Sequence, residues 1–372
     1  MKENPVKKLE TLGQSIWLNH LGYDMFTSGE LRRLIAEDGL RGITSNPSIL
    51  EKVITESHMY DKDIRELALR KKDLIVIYET LIQCDVQNAA DEFRSVYEKT
   101  NGKDGYVSLE VNPHLAYDTS RTIEEARRIW ASVDRPNIFI KVPATAEGLP
   151  AIQQLISEGI NVNATLLFGL TRYKQVTEAY LNGLKTRIDN GKPVKHVASV
   201  ASFFLSRIDS VIDPIEKDFL ASGGDEAHFA TNIKGQVAIS TAKIAYTIYK
   251  EIFESEQFAK LAHQGAIPQR LVWASTGTRD EDYSNIKYIE AIIGENTINL
   301  ISPGTLDAYR KYGKPALHME DDLKQAQWVM SEMTELGIDM DSITEKLEND
   351  SVKKFIKSFD KLLETLAKKS LV

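Results

Sequence analysis

"NIFIKVPATAEG", residues 137–148, runs Ile138, Phe139 and Ile140 into Lys141 and Val142, and then meets Pro143. The β-branched and aromatic run reads as a strand, and the proline marks where it runs out. Its apolar residues do not alternate with polar ones, which is the pattern of a parallel strand covered on both faces. Lys141 therefore falls at the carboxyl end of a buried strand, although surface positions for an ammonium group are plentiful.

The same pattern recurs along the chain. Strands are expected at "SIWL" (15–18), "GIT" (42–44), "YVSLEV" (106–111), "IFIKV" (138–142), "INVNATLLF" (160–168), "HVASVASFF" (196–204), "LVWAS" (271–275) and "TINLI" (297–301). Helix-length segments separate most of them, at 68–99, 121–132, 148–157, 169–189 and 231–254. Eight strand-then-helix units favour an α/β fold closed as a (β/α)8 TIM barrel over an open doubly wound sheet. No G-x-G-x-x-G or P-loop pattern follows any of these strands. The expected organisation is a catalytic barrel over residues 1–304 and a helical C-terminal extension, 305–372, packed on it. In that extension "SVKKFIKSFDKLLETLAKK" places Val352, Phe355, Ile356, Phe359, Leu362, Leu363 and Leu366 on one helical face. This face is expected to dock on the barrel, to close over a site or to form a subunit contact. Enlarged loops at 45–70 and 209–230 account for further length.

The 372 residues are 42% hydrophobic and 27% charged, with a formal net charge of −8. That balance argues against a nucleic-acid groove. No stretch approaches a membrane span, and the N-terminal "MKENPVKKLE" does not read as a signal peptide. A single cysteine, Cys84, leaves no internal disulfide or thiolate metal cluster within one chain and is expected to be a small buried apolar residue. A cytoplasmic enzyme is the expectation, with no metal and no cofactor; none of the histidines has ligand-type spacing.

In a barrel the carboxyl ends of the strands converge on one pocket. The polar residues there are Asn19, Thr44 to Asn46, Glu110, Lys141, Asn163, Thr165, Ser199, Ser202 and Ser275. Desolvation of Lys141 would raise its neutral, nucleophilic fraction and suit it to Schiff-base formation; an ion-paired or snorkelling lysine is the plainer reading. Glu110 could move protons during imine chemistry through a water held by Thr165, or simply pair with Lys141. Asn163 and Thr165 alternate along one strand and share a face. Arg207 and Arg279, each beside hydroxyl residues, suit a phosphate; ordinary surface salt bridges are the alternative.

Seven blocks, "GITSNPSIL", "YVSLEVNPHLAYDT", "NIFIKVPAT", "GINVNATLLF", "VASVASFFLSRID", "LVWASTGTRD" and "YIEAIIG", together resemble the transaldolase family, in its longer bacterial form, over nearly the whole chain. The resemblance implies a cofactor-free (β/α)8 enzyme. Such an enzyme moves a dihydroxyacetone unit between sedoheptulose 7-phosphate or fructose 6-phosphate and glyceraldehyde 3-phosphate or erythrose 4-phosphate, in the pentose phosphate pathway. It implies Lys141 as the Schiff-base lysine and Glu110 with Thr165 ordering a catalytic water. Asn46 and Asn163, with Thr44, become substrate ligands, and Ser202 with Phe204 the pocket wall. Arg207 becomes a phosphate ligand, Ser275 a neighbour of the second one, and Arg279 a candidate for it. Phosphorylated sugars are the implied partners, for a monomer or homodimer. The chain departs from the pattern at Asn19, in "SIWLNHLGYD", where the family places a proton-transferring aspartate, and at Tyr23, where it usually carries an arginine. An amide cannot take that proton near neutral pH. A neighbouring acid such as Asp24 could compensate. The competing readings are a Schiff-base aldolase, a transaldolase for an unusual sugar, and a non-catalytic sugar-phosphate-binding barrel. A glycosidase would want a second strand-end carboxylate opposite Glu110.

Overall fold

The computed structural model describes residues 4–223, 227, 230, 231, 233–278 and 283–371, the side chain of residue 222 excepted. Eight parallel strands close into a barrel in sequence order: β1 (Ser15–Asn19), β2 (Leu40–Thr44), β3 (Tyr106–Glu110), β4 (Ile138–Pro143), β5 (Val162–Leu167), β6 (Ser199–Phe204), β7 (Arg270–Ala274) and β8 (Ile298–Ile301). Every residue of β3 to β8 is buried, as continuous apolar runs between a barrel interior and a helical coat require. All eight expected strands are present, with ends shifted by up to three residues. The largest shift is in β6, which begins at Ser199.

The interior is filled in layers. Below the strand ends, Trp17 of β1, Tyr106 of β3 and Phe139 of β4 meet ring to ring, Tyr106 and Phe139 at 4.2 Å and Trp17 and Phe139 at 5.9 Å between centroids. Room for the indole comes from Gly42 on β2, where an added Cβ would fall 2.5 Å from the Trp17 ring. Alternation along each strand then puts Asn19, Thr44 and Lys141 one layer above Trp17, Gly42 and Phe139, with Glu110 in register with Lys141.

Two expected loops are helical instead. Within 45–70 lie Pro47–Glu56 and Asp61–Leu69; the first is started by the Asn46 side chain, which accepts from the Ile49 N–H, and by Pro47 in its first turn. Within 209–230 most residues belong to Ser206–Ser222, which continues through Pro214. The expected helix 68–99 is divided into Leu74–Glu92 and Arg94–Lys99, after Lys71 turns into the left-handed region. Cys84, expected to be buried, is exposed, because it falls on the outer face of Leu74–Glu92 while Asp85 turns inward.

After β8, Pro303–Tyr312 packs beside Pro5–Thr11, and Leu323–Glu335 packs on Val237–Phe253. The last helix, Met340–Ser370, crosses the carboxyl end of the barrel. Its stripe of Val352, Phe355, Phe359, Leu362 and Leu366 is buried, with Ile356 and Leu363 half-buried. It is tied to the loops beyond β2 by Ser48–Ser358 (2.8 Å) and Lys361–Glu51 (2.8 Å), and to the loop beyond β3 by Tyr117–Asn349 (2.7 Å). Among the described residues no helix is long and apolar enough to cross a membrane.

Candidate active site

Register assembles the site. Glu110, Lys141 and Asn163 are successive partners across β3, β4 and β5, so three consecutive strands contribute one candidate side chain each to a single row. On the other flank, Asn19 pairs with Thr44 across β1 and β2. The Lys141 ammonium closes the gap between these groups: it donates to the Ser45 carbonyl just beyond β2 (3.3 Å) and lies 3.6 Å from Glu110 Oε2. Both side chains of the pair are only 5% exposed.

The pair is close but loosely held. Neither carboxylate oxygen of Glu110 has a hydrogen-bond partner among the described residues, and the buried hydroxyl of Thr165 also lacks one. Burial raises the Glu110 carboxyl above its ordinary value, and the Lys141 charge pulls it back only in part. Asn163 is fixed from two sides. It accepts from the Ser202 hydroxyl (2.7 Å) and donates to Ser108 Oγ (3.2 Å), linking β6, β5 and β3 through the barrel interior. Ser108 was not singled out from the sequence, though its place two residues before Glu110 puts it on the same face.

The backbone is strained on this rim. Leu166, directly after Thr165, and Ser275, directly after β7, take φ of 59° and 53°. Non-glycine residues adopt that region at a cost, and such strain collects at functional sites. Ser275 also accepts from the Ser206 N–H through its carbonyl (3.1 Å).

Beyond β6, the Arg207 guanidinium lies 5.4 Å from the Phe204 ring centre and donates to Ser351 Oγ of the last helix (2.7 Å). Phe204 in turn packs on Phe168 at 5.3 Å. Ser351, like Ser108, is a site contact that the sequence reading missed. Its signal was a serine four residues before Phe355 on an otherwise apolar stripe. The same helix carries Glu348, which faces Arg172 at 3.2 Å and whose carboxyl burial pushes up to about 7.

Two expected members do not join the cluster. Ser199 lies at the amino end of β6, where its hydroxyl donates to the Val162 carbonyl (2.8 Å). Arg279 lies outside the described residues. Asp24, the expected compensating acid, is exposed, and its charge bears on His20, Tyr60 and Asp85. Within ion-pair distance of Lys141, Glu110 is the sole carboxylate among the described residues. Asn46 uses its side-chain oxygen to start Pro47–Glu56, which leaves its amide N–H groups as donors. No group of three or more His, Cys, Asp or Glu side chains among the described residues is arranged to hold a metal ion.

The fold and this constellation define a (β/α)8 barrel whose ionisable and hydrogen-bonding groups gather at the carboxyl ends of its strands, under a C-terminal helix. Comparison with known proteins gives the family. The Transaldolase/Fructose-6-phosphate aldolase family profile matches residues 21–366. A transaldolase of Trichodesmium erythraeum (strain IMS101) is 43% identical over 373 aligned residues, covering 99% of this chain and 98% of that protein. "Transaldolase 2" of Nostoc sp. (strain PCC 7120) is 43% identical over 98% of this chain and 97% of its own length. The transaldolase of Thiobacillus denitrificans is 41% identical over 97% and 99%. The chain belongs to the Transaldolase/Fructose-6-phosphate aldolase family.

Proposed function

We propose that this protein is a transaldolase working through a Schiff base on Lys141, with phosphorylated sugars as substrates and no cofactor. The observation that carries the reading is the row of Glu110, Lys141 and Asn163 on three neighbouring strands, with a buried amine 3.6 Å from a buried carboxyl, in a member of this family.

In its neutral form Lys141 attacks the C2 carbonyl of a ketose phosphate. Glu110, whose carboxyl burial raises above its ordinary value, protonates the departing hydroxyl through a water and leaves the cationic imine. The Thr165 hydroxyl and the Glu110 oxygens, without protein partners, are suited to hold that water. The imine withdraws electrons as the C3–C4 bond breaks and a base takes the C4 hydroxyl proton. The first aldose leaves, the three-carbon enamine stays on Lys141, and a second aldose accepts it. Thr44, Asn46 and Asn163 orient the sugar hydroxyls, and Ser202 and Phe204 form the wall. Arg207, held against Ser351, takes the phosphate, with Arg279, next to Ser275 in the resemblance, as the candidate second ligand; remote binding of this kind aligns the reacting carbons. A cytoplasmic monomer or homodimer completes the reading.

Asn19 favours a second reading. It is half-buried opposite Thr44, and its amide cannot act as the base that the resemblance places there. An aldolase, or a transaldolase adapted to another sugar, would follow. Incubation with fructose 6-phosphate, with and without erythrose 4-phosphate, separates them. Transfer only in the presence of the acceptor is the expected result. Release of free dihydroxyacetone without acceptor would replace the transferase by an aldolase. Asn19→Asp is expected to raise the transfer rate, by up to about 10²-fold where proton transfer limits it.

A further inference from the structure

The opposite end of the barrel holds a cavity of about 350 Å³, within the size range of small-molecule sites. Its walls come from the segments leading into β3, β6, β7 and β8, so it lies beneath the strands and apart from the row at their carboxyl ends. Its floor is the aromatic layer of Trp17, Tyr106 and Phe139. The indole N–H of Trp17 is buried and has no acceptor among the described residues. This end of such barrels ordinarily serves stability, which makes an open aromatic-floored space there informative.

The rim is cationic. Lys103 and Lys195 line the cavity, and neither has a carboxylate within 4.0 Å among the described residues. Lys103 donates instead to the neutral side chain of Asn296, at 3.0 Å. Desolvation and the neighbouring Arg270 guanidinium disfavour its charged form, and the charges of Asp104 and Glu295 offset this in part. Arg270 adds positive charge but few free donors: it is committed to Asp104 Oδ1 (2.9 Å), Ser15 Oγ (2.6 Å) and the backbone carbonyls of Lys103 and Thr297. His196 also lines the rim, as a further hydrogen-bonding group. An anion bound here would relieve the repulsion between Lys103 and Arg270, and a planar group would cover the aromatic floor.

We propose that this cavity is a second ligand site, separate from the Lys141 site, for a small molecule that joins a phosphate or carboxylate to a flat apolar ring. The proposal does not depend on the reaction assigned above, and its test uses binding alone.

The probe is 2-naphthyl phosphate, titrated calorimetrically into the protein, its K103E/K195E variant and its R207A variant, with inorganic phosphate in parallel. The altered lysines are exposed, and matching thermal midpoints check that the fold is kept. The expected result is saturable binding that K103E/K195E weakens by about tenfold or more, that R207A leaves unchanged, and that excess fructose 6-phosphate does not displace. Inorganic phosphate is expected to bind at least about tenfold more weakly, since it lacks the ring. The proposal is overturned by any of three results: no saturable binding up to about 10 mM, unchanged affinity in K103E/K195E, or displacement by the sugar phosphate together with loss in R207A.

Discussion

The barrel contains two buried ion pairs at opposite ends, built to different standards. At the amino end Arg270 and Asp104 meet at 2.9 Å, the guanidinium donates to several further oxygens, and Asp104 also accepts from the Ser15 hydroxyl (2.9 Å). At the carboxyl end Lys141 and Glu110 stand 3.6 Å apart, and the carboxylate oxygens have no hydrogen bond among the described residues. A buried charge without full pairing is costly, so a fold tolerates one where the loose groups have another use. The first pair fixes the entries of β1, β3, β7 and β8. The second leaves the Glu110 oxygens uncommitted beside the Lys141 amine.

This contrast sorts mutational outcomes into two kinds. The largest expected effect on activity among conservative changes is at Glu110: E110Q should lower the transfer rate by about 10²–10⁴-fold, read by steady-state kinetics, with far less loss of stability than a change at Arg270. R270A should do the reverse. It leaves Asp104 buried without its partner and should lose about 3–5 kcal/mol in denaturant unfolding, with the rate per folded molecule much less affected. Equal stability losses in the two variants would erase the distinction.

Buried acids elsewhere give a pH test. Burial, chiefly, pushes Asp85, Glu216 and Glu348 up to about 7 from ordinary values of 3.8, 4.5 and 4.5. Each carboxyl then holds its proton more tightly in the folded chain than in the unfolded one. Their contribution is fully present below the ordinary values and is lost as pH rises toward about 7. The thermal midpoint of D85N should therefore fall less than that of the parent over this interval, since Tyr60, which donates to Asp85 at 2.6 Å, can also donate to the amide oxygen. A midpoint that falls equally in both proteins would remove Asp85 from the account.

The smallest expected effect is at Ser351. S351A removes the hydroxyl that receives Arg207 and should raise KM for the sugar phosphate by about two- to tenfold with little change in kcat, which corresponds to loss of one ordinary hydrogen bond. A fall in kcat alone would place Ser351 in the chemistry instead of substrate positioning.

The row of polar groups at the carboxyl end was legible in the sequence because its members obey local rules. Glu110, Lys141 and Thr165 fall near the carboxyl ends of mostly apolar strand runs, and closure of the barrel brings those ends together. What escaped depends on partners distant in sequence. The Arg207–Ser351 contact joins positions 144 residues apart, and the Arg270–Asp104 contact joins positions 166 apart. No periodicity announces either. The helices inside 45–70 and 209–230 were hidden by prolines, which there begin one helix at Pro47 and lie within another at Pro214. Cys84 was misread by residue type: its side of Leu74–Glu92 faces outward, while the polar Asp85 beside it is buried against Tyr60.

The central claim, that Lys141 is a nucleophile in a loosely paired site, is tested most directly by intact mass after borohydride reduction in the presence of fructose 6-phosphate, for the parent chain and K141A. The account expects one reduced three- or six-carbon adduct per chain in the parent and none in K141A. An adduct that persists in K141A, or no adduct in either under conditions where transfer proceeds, would contradict it.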